Sequence, residues 1–138
     1  MSEHQNNAQQ YCQELKDKYY REDTYPLSLG IEIGELSPGY CRVEMEVTQN
    51  LTNFHNITHG GALFSLADTA FGLASNSRGT AVALQVSINY MAPSVPGEKL
   101  TAIASEENLT KSTGVYSVTV LNEKEETIAL FRGVVYRR

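Results

Sequence analysis

The alternation of apolar and polar residues predicts a strand between Tyr40 and Val47. Apolar side chains take every second position and charged ones the positions between, the period of two of a strand with one buried face. A preceding strand, Gly30–Leu36, is separated from it by a Ser-Pro-Gly turn signal at 37–39. Because one face is polar, we expect an antiparallel sheet. The apolar set is Cys41, Val43, Met45 and Val47, and the charged set is Arg42, Glu44 and Glu46.

The period becomes that of a helix between Gly60 and Ser77. Apolar residues recur there at intervals of three and four, and Asp68 is the only charged residue of the segment. A helix that is apolar on nearly every side is buried on nearly every side, so we expect it at the centre of the fold. The stripe consists of Leu63, Leu66, Ala67, Ala70, Phe71 and Ala74.

Period-two patterns return after Gly79 and predict four further strands. Strands on both sides of one helix favour an α+β fold in which a curved antiparallel sheet wraps around the helix. Such a sheet has edges, and edges invite pairing with a second copy. The predicted strands are 82–90, Lys99–Asn108, Gly114–Asn122 and Thr127–Tyr136, and the junction at 122–126 is hairpin-like. The first of these strands has Val82, Leu84, Val86, Ile88 and Tyr90 on one side.

The N-terminal part is a polar helical lead-in, residues 3–18, which Pro26 ends. We therefore divide the chain into this lead-in, residues 1–25, and a single domain, residues 26–138. A chain of 138 residues with 41% hydrophobic residues can bury a core without disulfides or a structural metal. Cys12 and Cys41 are accordingly predicted to be free thiols.

Charge and composition exclude several classes of partner. With 11 Lys and Arg against 16 Asp and Glu, nucleic acid is not the expected partner, because binding phosphates requires a basic surface. The N-terminus lacks a signal-peptide pattern, and the longest mainly apolar stretch, Gly60–Ala74, is too short to span a bilayer. We expect a cytoplasmic protein with no membrane association. His55 and His59 have HxxxH spacing but no further ligands in pattern, so we expect no metal.

Asp68 is the residue of the predicted helix that most needs an explanation. Apolar surroundings raise the pKa of a carboxyl group, which suits a general base or a nucleophile. A structural carboxylate that bonds loop amides or a hydroxyl has the same pattern. At the helix start, His59-Gly60-Gly61 offers backbone N–H groups at the positive end of the helix dipole. Those groups suit a carbonyl oxygen that gains negative charge, although a tight turn into the helix also explains the glycines.

Spacing indicates how these groups can act together. Gly60 and Asp68 are separated by about 12 Å on one helix, at the helical rise of about 1.5 Å per residue. One reacting carbonyl cannot touch both, so a joint site requires two chains related by a two-fold axis. Other polar residues have more than one possible role. Asn53 and Asn56 can orient a water or form turns, and His55 and His59 can donate a hydrogen bond to a leaving group. Gln85, Ser87 and Asn89 share one face of a predicted strand.

The segment 53–71, NFHNITHGGALFSLADTAF, resembles the signature of the hotdog-fold acyl-CoA thioesterases, most closely the phenylacetate-degradation (PaaI-type) branch. Segments 76–79 and 89–93 also fit that branch, and the order of elements is similar from about Leu27 to Tyr136. The resemblance implies a hotdog fold, in which a curved antiparallel sheet wraps a long central helix, here with an added N-terminal helix. It also implies homodimers, commonly paired as dimers of dimers, with active sites between chains.

The resemblance also assigns roles. Asp68 acts as nucleophile on the thioester carbonyl or as base for a water, Gly60 supplies an oxyanion N–H, and Asn53 positions the water or thioester. His59 supports the carbonyl or thiolate side. The family's further polar residue has no clear match, and Ser87 is our choice for it. No cofactor is implied, because coenzyme A is part of the substrate. Expected substrate or CoA contacts are Gly61, Phe64, Ser87, Asn89, Arg78 and Lys111, and Lys99, Arg137 and Arg138 are further cations available to the CoA phosphates.

Other functions remain open on these residues. A non-catalytic acyl-CoA binding or sensing module on the same scaffold would bind without hydrolysis, although intact Asn53, Gly60 and Asp68 count against it. A hydratase or dehydratase pairs a catalytic His with an acid at a spacing that we do not find. Phe64, Phe71 and Tyr90 favour aryl or medium-chain acyl groups, although the same residues can equally belong to the core. The branch suggests a substrate such as phenylacetyl-CoA or a hydroxylated form.

Overall fold

A computed structural model describes residues 3–137 of the chain. It contains three α-helices, one 3₁₀ turn and six strands, and every predicted strand is present with ends that shift by at most two residues. The elements are α1 (Glu3–Glu22), α2 (Thr24–Ser28), β1 (Glu32–Ser37), β2 (Tyr40–Glu46), the 3₁₀ turn (Gln49–Leu51), α3 (Gly60–Asn76), β3 (Ala81–Tyr90), β4 (Lys99–Leu109), β5 (Thr113–Leu121) and β6 (Thr127–Arg137).

The six strands form one antiparallel sheet in the order β1-β2-β4-β5-β6-β3. Helix α3 contacts all six strands, which places it in the hollow of the sheet. The predicted α+β fold with a central helix is therefore confirmed. The alternation along β2 is also confirmed, since its apolar set is buried and its charged set is not.

The core lies between α3 and the sheet. The predicted apolar stripe of α3 is buried throughout, and the ring of Phe71 packs against Tyr116 and Phe131. A Cβ atom on Gly133 would lie 2.6 Å from the Phe71 ring, so only glycine lets β6 approach the helix this closely. At the other end of α3, the buried Arg137 guanidinium donates to the carbonyl oxygen of Ser75 at 2.8 Å, a favourable place for a cation.

Residues 3–28, which we call the N-terminal arm, are attached to the body by tyrosines. The Tyr19 hydroxyl donates to the carbonyl oxygen of Ile31 at 2.7 Å, and the Ile33 amide donates to the Tyr20 hydroxyl at 2.8 Å. The expectation that Pro26 ends the lead-in is wrong. Helix α1 runs on to Glu22, and Pro26 lies in the first turn of α2, where proline's missing N–H is not needed.

Strand β3 lies at one edge of the sheet and is more exposed than its alternation predicts. Val82 and Leu84 are 59% and 62% exposed, because β3 pairs only with β6 and the register slips between Ala83 and Gln85. Tyr90 and Met91, at the end of the strand, are also exposed. Among residues 3–137, no helix is long and apolar enough to cross a membrane.

Candidate active site

The loop before α3 is held by its own polar side chains. Asn53 Oδ1 accepts the amide of His55 at 2.9 Å and, more weakly, that of Ile57 at 3.4 Å, which is an Asx turn. The buried Thr58 and Ser94 bond each other through their hydroxyls at 2.6 Å and so tie this loop to the segment after β3. Asn53 thus takes the turn-forming role, while its amide NH₂ group remains available as a donor.

The start of α3 presents the predicted backbone donor. His59 is the N-cap, and its Nδ1 accepts the Gly61 amide at 2.8 Å. Nδ1 therefore carries no proton, and the neutral ring presents its N–H at Nε2. No residue within 3–137 accepts the Gly60 N–H, which leaves this donor at the positive end of the helix dipole. Tyr90 lies over Gly60 and donates its hydroxyl to the Gly60 carbonyl at 3.1 Å.

Asp68 lies on the open face of α3, so the expectation that this helix is buried on nearly every side is wrong. Asp68 is exposed, whereas Leu66 and Ala67 beside it are fully buried. The open face arises because the residues around Asp68 on the outer side are small or polar: Ser65, Thr69, Gly72 and Asn76. These small or polar side chains leave open space next to Asp68, whereas the apolar stripe on the opposite side of α3 is tightly packed against the sheet.

That open face and the N-terminal arm enclose a cleft of about 710 Å³, a volume typical of ligand sites. Although part of the Asp68 side chain stays open to solvent, the walls partly withdraw its carboxyl from bulk water and raise its pKa, and the negative charge of Asp23 raises the pKa further. The rise makes Asp68 a stronger base than an ordinary carboxylate. The lining consists of Leu15, Lys18, Tyr19, Glu22, Asp23, Tyr25 and Pro26 from the arm, with Phe64, Ser65, Asp68, Thr69, Gly72, Leu73 and Asn76 from α3.

Within one chain, the two predicted parts of the site are apart. The cleft that holds Asp68 is lined by neither Asn53, His59 nor Gly60. Gly60 and Asp68 both lie on α3, and the helical rise places them about 12 Å apart along the helix. A single chain therefore cannot present the Gly60 amide and the Asp68 carboxylate to the same carbonyl group.

The remaining predicted contact residues are dispersed. Phe64 lines the Asp68 cleft, Gly61 is exposed at the start of α3, and Ser87 and Asn89 are exposed on edge strand β3. Lys111 is exposed in the turn between β4 and β5. The remaining cations differ in availability: Arg78 bonds both carboxylate oxygens of Glu106, Lys99 pairs with Glu44, Arg137 is buried, and Arg138 lies outside the described residues.

Two residues at these sites carry no role in the sequence prediction: Tyr25 and Asp23, which reach the Asp68 cleft from the arm. Tyr90, predicted only as an aromatic contact for the acyl group, covers Gly60. The four-residue spacing of Tyr11, Leu15 and Tyr19 indicates that the arm contacts the body, but it does not indicate which face it meets. Within residues 3–137, no group of three His, Cys, Asp or Glu side chains is arranged to hold a metal ion.

Comparison with known proteins identifies the family. A sequence model described as the thioesterase superfamily matches residues 55–129, which include Gly60 and Asp68. The acyl-coenzyme A thioesterase PaaI of Escherichia coli is 44% identical over 119 residues, which are 86% of this chain and 85% of that protein. The chain belongs to the thioesterase superfamily.

Solved structures agree with this assignment. The structure of the E. coli PaaI protein from the phenylacetic acid degradation operon matches this thioesterase with a TM-score of 0.90 at 40% identity, covering 94% of each chain. A Streptococcus mutans protein solved with acetyl-CoA bound matches with a TM-score of 0.74 at 30% identity, covering 78% of this chain and 91% of that one. The predicted PaaI-type hotdog family is confirmed, and so is the prediction that the chain is a thioester hydrolase.

Proposed function

We propose that this thioesterase hydrolyses an acyl-CoA to the free acid and CoA, with Asp68 as its catalytic carboxylate. The observation that carries the proposal is the position of Asp68: a carboxylate of raised pKa on the wall of a cleft of ligand size, within the segment that matches the family. A structural carboxylate would be bonded to the groups around it, whereas the side chain of Asp68 makes no hydrogen bond within residues 3–137.

The chemistry follows one of two balanced routes. As a base, the Asp68 carboxylate takes a proton from a water whose oxygen attacks the thioester carbon. As a nucleophile, it attacks that carbon itself and forms an anhydride that water then cleaves. In both routes the negative charge gathers on the carbonyl oxygen, next to the Gly60 N–H, before the C–S bond breaks. The thiolate of CoA leaves with a hydrogen bond from the His59 Nε2–H to its sulfur, and it takes up the proton that the attacking water gives up. Asn53 positions the water or the thioester through its free amide NH₂, and no metal takes part.

The site is completed by a second chain. We infer a homodimer in which the start of α3 from one chain meets Asp68 of the other, because one chain holds these groups too far apart. Edge strand β3 offers the surface for this pairing, since it exposes unpaired backbone and the apolar side chains of Val82 and Leu84. Dimers of dimers, as in the resemblance, are the proposed assembly.

The acyl group is proposed to be aryl or medium-chain, as in phenylacetyl-CoA. Phe64 on the cleft wall supplies an aromatic surface for such a group. Of the cations named from the sequence, Lys111 is exposed and makes no ion pair within residues 3–137, so we assign it to the CoA phosphates before Arg78, which already holds Glu106. Gly61 at the start of α3, and Ser87 and Asn89 on β3, are further proposed contacts of the acyl-CoA.

A thiol-release assay tests the proposal. Purified protein is offered phenylacetyl-, hydroxybenzoyl-, butyryl-, hexanoyl- and palmitoyl-CoA, with Asp68→Asn run beside wild type. Release by wild type and its loss by about 10²-fold or more in a folded Asp68→Asn protein are expected, because the amide can neither take a proton nor attack. Wild-type turnover by Asp68→Asn would overturn the role of Asp68. Saturable binding of every acyl-CoA without any thiol release would favour the non-catalytic binding module.

A single-turnover reaction in ¹⁸O-labelled water separates the two routes. Attack by the carboxylate leaves ¹⁸O in the Asp68 side chain after the anhydride is cleaved at the side-chain carbonyl, and the acid then carries the unlabelled oxygen. Base catalysis places the label in the released acid, and so does cleavage of the anhydride at its acyl carbonyl, so only label in Asp68 identifies attack by the carboxylate. Mass spectrometry of the peptide that contains Asp68 gives the answer.

A further inference from the structure

The hydroxyl of Tyr25 bridges the N-terminal arm to helix α3. It lies 2.8 Å from Ser65 Oγ, across 40 positions of sequence. Ser65 Oγ in turn donates to the carbonyl oxygen of Gly61 at 2.8 Å, so the Tyr25 hydroxyl is the donor of the pair. Ser65 precedes Asp68 by one helical turn, and the two side chains line the same cleft. The aromatic ring of Tyr25 is thereby held at the cleft that also contains the Asp68 carboxylate.

The ring itself is not part of the core. Tyr25 is 62% exposed, whereas Tyr19 of the same arm is buried and donates its hydroxyl to the carbonyl oxygen of Ile31. An aromatic side chain that is anchored at its tip but open along its face forms a wall and leaves a surface for another molecule. Both Tyr25 and Tyr19 line the cleft.

The charges of the cleft decide which end of an acyl-CoA it receives. Glu22, Asp23 and Asp68 line it against the single cation Lys18. This negative potential repels the phosphates of CoA, so the acyl group enters the cleft and the nucleotide stays outside. Apolar surface from Leu15, Phe64 and Tyr25 is available to an uncharged acyl group there.

The wall comes from a part of the chain outside the family match. Asp68 lies within residues 55–129, which the superfamily model covers, and Tyr25 lies before them. The reaction centre and the wall of the cleft thus belong to separate stretches of sequence. The wall can change between relatives while the reaction centre is kept, which is how one scaffold serves different substrates.

We propose that Tyr25 is a specificity-determining residue, whose ring limits the size of the acyl group beside Asp68 and whose hydroxyl holds that wall to Ser65. The proposal rests on the proposed function, because it places the acyl group of the thioester in the Asp68 cleft. It assigns to the arm a preference for uncharged acyl groups of limited length.

The test compares acyl selectivity, which a merely structural role would not move. The ratio of kcat/KM for decanoyl-CoA to that for butyryl-CoA is measured in wild type and in variants of Tyr25. Tyr25→Ala opens the wall and is expected to raise the ratio about tenfold, within the usual range for reshaping an apolar pocket. Tyr25→Trp narrows the cleft and is expected to lower it. Tyr25→Phe keeps the ring without the bond to Ser65 and is expected to fall between wild type and Tyr25→Ala.

Two controls are built from the same arm. Tyr20→Phe removes a hydroxyl that bonds β1, and Tyr11→Ala removes a partly exposed ring of α1; neither residue lines the cleft. Both are expected to leave the ratio unchanged. A ratio that is the same in Tyr25→Ala, Tyr25→Trp and wild type, in proteins that still release thiol, would overturn the proposal.

Binding separates this proposal from the proposed function. S-Butyl- and S-decyl-CoA thioethers cannot be hydrolysed, and calorimetry gives their Kd values for each variant. A Kd ratio that shifts in Tyr25→Ala, without hydrolysis of any acyl-CoA by wild type, would support the wall and overturn the hydrolytic function. Hydrolysis with an unshifted Kd ratio would overturn the wall and support the function.

Discussion

Mixing two inactive variants should restore a fixed fraction of activity if each active site is shared between chains. The first variant is Asp68→Asn. The second is Gly60→Pro, which deletes the proposed oxyanion donor. Proline suits this position, because Gly60 is the first residue of α3 and His59 before it has φ −62° and ψ 137°, the extended conformation that a residue preceding proline adopts. Its Cβ meets the Tyr90 ring at 3.3 Å, so the ring must shift slightly.

The expected magnitude follows from the geometry of α3. Loss of one oxyanion donor lowers kcat by about 10²–10³-fold, so Gly60→Pro alone is nearly inactive. Since Gly60 and Asp68 of one chain are separated by about 12 Å, each site takes one group from each chain. A mixed dimer then has one intact site and one site with both defects. Random reassociation of equal amounts makes about half of the dimers mixed, so about a quarter of wild-type activity returns.

The assay is thiol release after the two variants are unfolded together and refolded, with different affinity tags to quantify mixed dimers. Each variant refolded alone is the control. Verified mixed dimers without recovered activity would refute the shared site. So would a wild-type protein that light scattering shows to be an active monomer.

Two further outcomes are expected. Asp68 acts in its ionised form, and the negative charge of Asp23 raises the pKa of its carboxyl group. Asp23→Asn should therefore lower that pKa and move the acidic limb of the kcat/KM profile to lower pH. A profile that does not move, or moves to higher pH, would contradict the effect of Asp23 on Asp68. Gly133→Ala should destabilise the fold by about 1–3 kcal/mol, because its Cβ overlaps the buried Phe71 ring. Gly72→Ala, with open space around its Cβ, is the control and should be neutral or stabilising by up to about 1 kcal/mol in urea unfolding.

The fold was predictable because its elements have unambiguous periods. Apolar residues between 63 and 74 of α3 recur at helical spacing, and apolar and polar residues alternate along β2 without interruption. In both elements the local preference agrees with the tertiary packing. Edge strand β3 also alternates, but alternation predicts only that a strand has two kinds of face. Whether either face is covered depends on the neighbours of the strand, and β3 has one neighbour within the chain.

The candidate site was predictable only in part. Asp68 and Gly60 stand out by type and spacing within one helix. The exposure of Asp68 was not predicted, because small residues such as Ser65 and Gly72 fit a tight interface and an open cleft equally well. The contribution of Tyr25 was also beyond reach, since its bond to Ser65 crosses 40 positions and the turn between α1 and α2 sets its direction. A proline after a helical segment predicts a helix end, yet proline is equally favourable in the first turn of a new helix, where Pro26 lies.

The position of β6 has a consequence for synthesis on the ribosome. β6 lies between β5 and β3, although β3 is made well before it. At usual elongation rates, roughly 2–7 s pass between completion of β3 and the start of β6. During that interval β3 lacks β6, the strand to which it hydrogen-bonds, and the part of α3 that β6 covers is open to solvent. The nascent chain is therefore most prone to aggregate, and most in need of chaperones, just before its last strand emerges.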